Sequence, residues 1–130
     1  YLEDFLFSIR DSYPKDLSSV EIELELEDVQ LDIMRAIPLG LIVNELVVNA
    51  FKHAFDKGDS GSISVSLKSI QNGLELTIAD TGPGWPEGFS FEEVDSLGVS
   101  LIKTLIDQID ADMDFWNSNG AIFQLKLYNS

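Results

Sequence analysis

The spacing of apolar positions changes several times along this chain, and each change marks a new element. Leu2, Phe5, Leu6 and Ile9 recur at helical spacing from Tyr1 to about Ser12, where Tyr13-Pro14 stops the pattern. Val20, Ile22, Leu24 and Leu26 then alternate with Glu21, Glu23, Glu25 and Glu27, which predicts a half-exposed strand. The glutamate row reads as a wet sheet face rather than a metal site, because carboxylates lined up on a flat surface repel one another. A helix is predicted from roughly Leu31 to Phe55, with Pro38 either bending it or opening its main part. Asp56 to Gly61 is a turn-rich loop.

Two strands follow, Ser62 to about Ile70 and Leu74 to Ala79, joined through the hairpin signal Gln71-Asn72-Gly73. Gly82 to Leu97 has no sustained period and holds Pro83, Gly84, Pro86 and Gly88, so a long mobile loop is predicted there. From Gly98 to Ile109 the helical spacing returns, with Leu101, Ile102, Leu105, Ile106 and Ile109 apolar. Asp112 to Asn117 and Ala121 to Leu127 read as a second hairpin across Ser118-Asn119-Gly120. The predicted fold is α+β, a two-layer α/β sandwich with helices on one face of a mixed sheet, and residues 1–130 form a single domain.

Composition narrows the chemistry. At 45% apolar content the chain is globular rather than disordered. It has no cysteine, which removes disulfides, thiolate zinc sites and thiol nucleophiles, and its single histidine argues against a histidine-built metal site. Eight Lys+Arg against 23 Asp+Glu give a net charge of −15, which disfavours nucleic acid and anionic membrane as partners. No apolar run approaches the roughly 20 residues that span a bilayer, so direct membrane contact is not expected and a cytoplasmic location is the default. The parent protein could still be membrane-anchored. An anionic ligand here needs a metal ion, backbone amides and a few well-placed cations.

Glu45, Asn49, Lys52 and His53 stand at i, i+4, i+7 and i+8 of the predicted helix and share one face at roughly 100° per residue. Val43, Leu46, Val47, Ala50 and Ala54 form the opposite, burying face. A carboxylate, an amide, an amine and an imidazole together suit a metal-bound polyphosphate, since oxygen ligands hold Mg²⁺ and an ammonium offsets phosphate charge. A solvated helix face explains the same pattern when it is taken alone.

Asp80-Thr81-Gly82-Pro83-Gly84 lies where a strand leaves the sheet. Its carboxylate can accept from an exocyclic amine such as adenine N6, and Gly82 and Gly84 let the backbone approach a flat base. A strand-ending turn has the same composition. Ser96-Leu97-Gly98-Val99-Ser100-Leu101 opens a helix, and helix N-termini offer N–H groups to phosphate, although Ser96 as a plain N-cap is an equal reading.

In this order the segments resemble the ATP-binding catalytic domain of sensor histidine kinases, in the superfamily that also holds DNA gyrase B, Hsp90 and MutL. Glu45-x-x-x-Asn49-x-x-Lys52-His53 is similar to the N box, Asp80-x-Gly82-x-Gly84 to the first glycine box, and Leu97-Gly98-Val99-Ser100-Leu101 to the second. Gly120-Ala121-Ile122-Phe123 resembles the closing Gly-Thr-x-Phe element. The stretches Pro38 to Leu46 and Ser96-Leu97-Gly98 are most similar to the subgroup with a HisKA_2-type dimerisation segment. The resemblance implies the Bergerat-type fold of that superfamily, with ATP and Mg²⁺ as ligands.

By the same resemblance, Asn49 ligates Mg²⁺, Glu45 supports the metal site or activates water, and Lys52 contacts phosphates. His53 orders the pocket and Asp80 reads adenine, with Gly82, Gly84, Leu97, Gly98 and Val99 completing the nucleotide site. Ser96 departs from the usual glycine and Ala121 from the usual threonine, and Trp85 to Leu97 carries Glu87, Glu92, Glu93 and Asp95 without a Lys or Arg. The implied reaction passes the γ-phosphate to a histidine on a separate dimerisation domain, before Tyr1 or on another chain. Tyr1 to Ser12 would then be the tail of the connection to that domain. A response-regulator receiver is the implied downstream partner, and the parent is implied to be a homodimer. An anti-sigma-factor-type serine kinase and a degenerate ATP-binding scaffold are the competing readings.

Overall fold

The computed structural model describes residues 20–27, 29, 31–49, 61–82 and 97–128. The segments read as the Tyr1–Ser12 helix, the Asp56–Ser60 loop and the 83–96 loop lie outside these residues, as do Lys52, His53 and Gly84.

Alternating sequence gives alternating burial. β1 (Val20–Leu26), β2 (Gly61–Ile70), β3 (Gly73–Asp80), β4 (Asp112–Asn117) and β5 (Ala121–Tyr128) make one sheet in the order β1-β2-β3-β5-β4. The β1–β2 pair is parallel and the other pairs are antiparallel. Cross-strand register places Leu24, Val65, Ile78, Phe123 and Phe115 in one row, and Leu26, Leu67, Leu76, Leu125 and Met113 in the next. Both rows face the helices, and most of their side chains are buried.

On the open face, Lys68, Glu75, Lys126 and Asp112 lie side by side with alternating charge. Such cross-strand pairs favour this register by about 0.2–1 kcal/mol each. Exposed Glu23 and Glu25 pair with Ser64 and Ser66 rather than with another acid, consistent with the wet sheet face read from the sequence.

Two described helices cover the other face. The first, α1 (Ile33–Asn49), buries Leu39, Ile42, Val43, Leu46 and Val47 at helical spacing. Asp32 caps it, its Oδ1 accepting the Arg35 backbone N–H at 3.0 Å. Pro38 lies inside this helix with five helical residues before it, so it does not open the helix. Its buried ring packs with the apolar face, which offsets the backbone hydrogen bond that proline cannot make. The second, α2 (Leu97–Gln108), buries Val99, Ile102, Leu105 and Ile106 in the same core.

One polar contact ties the start of α1 to the sheet. Arg35 donates from its guanidinium to the Tyr128 carbonyl at 3.2 Å, so the start of α1 sits at the far end of β5. No helix among the described residues is long and apolar enough to cross a membrane.

Candidate active site

Asp80 continues the buried row of β3 formed by Leu74, Leu76 and Ile78, and it pairs with Ile63 of β2. Period-two alternation therefore turns its carboxylate to the helix side. The side chain is half-buried and its Oδ1 accepts two backbone N–H groups, from Gly82 at 2.9 Å and from Ala121 at 3.3 Å. No hydrogen bond to Oδ2 is formed among the described residues, so that oxygen is an acceptor held in a fixed orientation.

The backbone around Asp80 is locked from both sides. Thr81 donates its N–H to the Ser62 carbonyl at 3.1 Å, and its Oγ1 accepts the Ser62 N–H at 2.9 Å. Gly120 has φ of +136°, and a Cβ there would overlap the Asp80 carbonyl oxygen. Only glycine meets both requirements. The sequence reading included Gly120 and Ala121 in the closing element but did not join them to Asp80. Ala121 supplies its backbone N–H, which any non-proline residue offers, so side-chain chemistry carried no signal for this contact. Nothing in the spacing of Thr81 and Ser62 announced their pairing either.

Glu45 and Asn49 are one turn apart on α1 and both are half-buried. Gly98, in the first turn of α2, lies directly against the Glu45 carboxylate: a Cβ at 98 would overlap Oε1 and stand 3.2 Å from Cδ. Val99 is buried in the core at 8% exposure. Leu97 begins α2. The structure thus joins Glu45 to Gly98, and Asp80 to Gly82 and Ala121, on one side of the sheet.

A magnesium ion is tested by the donors present. Glu45 and Asn49 offer a carboxylate and an amide oxygen at i, i+4, and no group of three acidic or histidine ligands exists among the described residues. Mg²⁺ ordinarily takes one or two protein oxygens and completes its shell with water and phosphate, so this pair fits it.

A mixed five-stranded sheet with helices on one face is the architecture of histidine kinase-type ATP-binding domains. The chain belongs to the histidine kinase-like ATPase domain family, whose model matches residues 16–122. It is 36% identical over 96 residues to the sensor histidine kinase PdtaS of Mycobacterium tuberculosis, an alignment covering 70% of this chain and 19% of that kinase. It is also 28% identical over 85 residues to the serine-protein kinase RsbW of Listeria monocytogenes, covering 55% of this chain and 54% of that protein. The blue-light activated histidine kinase EL346 of Erythrobacter litoralis superposes with a TM-score of 0.84 at 23% identity, over 98% of this chain and 40% of that one. The chain thus spans about a fifth of the PdtaS length. This is a kinase-type ATPase domain, and its family implies ATP binding.

Proposed function

We propose that this domain binds Mg-ATP at the Asp80 end of the sheet and presents the γ-phosphate to a histidine on a dimerisation domain, in two-component signalling. The observation that carries the reading is the clamped Asp80 carboxylate, with Oδ1 held by the Gly82 and Ala121 amides and Oδ2 forming no hydrogen bond among the described residues. The 36% identity to a sensor histidine kinase supports histidine as the acceptor.

In this mechanism Asp80 fixes the adenine, and the polyphosphate runs toward Asn49 and Lys52. Asn49 and Glu45 would hold Mg²⁺, which neutralises charge on the phosphate oxygens when bound. An imidazole nitrogen of the partner attacks the γ-phosphorus in line; the P–N bond forms as the bond to the β,γ-bridging oxygen breaks, and ADP leaves. Catalysis is positioning and charge stabilisation, so the domain alone transfers nothing. The receiver of a response regulator then takes the phosphoryl group. Residues 1–130 act as one catalytic unit, with 1–12 as the tail of its connection to the dimerisation domain.

Radiolabelled ATP with the complete kinase tests the reading. Acid-labile, base-stable phosphate on the partner histidine is the expected product. Acid-stable phosphoserine on a partner protein would select the serine-kinase reading, which the 28% identity to RsbW supports. Absence of Mg-ATP binding to this domain at millimolar nucleotide would select the scaffold reading and overturn the proposal.

A further inference from the structure

We infer that Gly98 is a positioning residue for Glu45: the missing side chain at 98 is what lets the α1 carboxylate rest against the first turn of α2. A Cβ at this position would overlap Glu45 Oε1 and stand 3.2 Å and 3.7 Å from its Cδ and Cγ. Contact with the whole end of one side chain makes Glu45 the neighbour that must turn aside when a side chain is added at 98.

The helices cannot separate to relieve such an overlap. Leu46, next to Glu45, is 7% exposed, and Val99, next to Gly98, is 8% exposed, and both belong to the same packed core. Moving either backbone would open that core, so the accommodation must come from rotation of the Glu45 carboxylate away from its seat. No acidic residue lies in the first turn of α2 itself, so Glu45 supplies from α1 the negative charge that the positive end of the α2 dipole favours. The pair therefore joins the N-box helix to the second glycine box through one steric and electrostatic contact. A side chain at 98 would therefore displace the Glu45 carboxylate from its seat. Its consequence for turnover rests on the phosphotransfer reading above; the contact itself does not.

A double-mutant cycle decides the matter, using wild type, Gly98→Ala, Glu45→Ala and the double variant of the complete kinase. In the wild-type background Gly98→Ala should slow phosphotransfer about as much as Glu45→Ala does, tenfold or more, with the Mg-ATP dissociation constant changed less than threefold. In the Glu45→Ala background the same substitution should lower the rate by a clearly smaller factor than it does in wild type. It should also raise the urea midpoint there, because alanine is the better helix former once the carboxylate is gone. Glu45→Asp, one methylene shorter, should partly restore the rate of Gly98→Ala. If Gly98→Ala weakens Mg-ATP binding equally in both backgrounds, the glycine serves the nucleotide and the inference is overturned. If no variant binds ATP, the functional reading fails while the urea midpoints still decide the contact: coupling upholds it and additivity overturns it.

Discussion

The Asp80 carboxylate and the Ala121 backbone are linked across the β3–β5 end of the sheet, with the Ala121 N–H donating to Asp80 Oδ1 at 3.3 Å. The same side chain is the proposed adenine reader and a structural tie. The two roles are separable by substitution. Asp80→Asn keeps an oxygen to accept the Gly82 and Ala121 amides but can turn a donor toward an incoming amine. It should weaken ATP binding about tenfold or more, the effect of losing one hydrogen bond to a charged group at about 1.5–3 kcal/mol. Its urea midpoint should stay near wild type. Asp80→Ala strips both amides of their acceptor and should also cost stability, on the order of 1–3 kcal/mol. Isothermal titration and urea denaturation read the two effects. Unchanged affinity in Asp80→Asn would remove Asp80 from adenine recognition.

Gly120→Ala should destabilise the domain more than a typical surface substitution. Its φ of +136° excludes a side chain, and the new Cβ would meet the Asp80 carbonyl. Strained backbone of this kind costs about 1–3 kcal/mol before the overlap is counted. Because the shift would displace Asp80, ATP affinity should fall as well. A fully folded Gly120→Ala variant with native affinity would contradict the tie.

Asn49 and Glu45 should separate in kinetics. Asn49→Ala removes an oxygen donor from the proposed Mg²⁺ pair and should reduce phosphotransfer by roughly a hundredfold or more, since metal charge stabilisation is worth several kcal/mol. Glu45→Gln should leave nucleotide affinity nearly intact and lower the rate. Single-turnover assays with radiolabelled ATP separate the two. Rapid ATP hydrolysis by the isolated domain, lost in Glu45→Gln, would instead make Glu45 a base for water.

The cap of α1 gives the fold an acid-sensitive contact. For Asp32, desolvation is the largest single influence and raises the pKa, but the Arg35 side-chain and backbone hydrogen bonds and the Arg35 charge together outweigh it. The carboxyl is therefore held below its ordinary value. A depressed folded pKa means that the contribution is present above the unfolded pKa and is lost as pH falls through the folded one. Asp32→Asn preserves the cap but not the ion pair with Arg35 at 3.1 Å, so its urea midpoint should fall less than wild type's on acidification below about pH 4. The exposure of both side chains keeps the effect small. Parallel acid limbs in the two proteins would refute the assignment.

Local sequence determined the five strands, the two described helices and the helix-facing side of Asp80, because burial with a period of two or 3.6 residues is written directly in residue order. It also determined the oxygen donors on one face of α1, since Glu45 and Asn49 are neighbours by helical geometry alone. The strand order β1-β2-β3-β5-β4 was decided by tertiary structure. Long-range pairing alone brings the Ala121 amide to Asp80 and the Arg35 guanidinium to the Tyr128 carbonyl, 41 and 93 residues apart. Glycine shows the division most clearly. The sequence marks Gly73, Gly98 and Gly120 alike, as flexible residues in turns or boxes. In the folded chain each faces a different neighbour: the Leu127 and Asp80 carbonyls leave no room for a Cβ at 73 and 120, and at 98 a Cβ would push the Glu45 carboxylate aside. A missing Cβ records that something comes close, and only packing decides what.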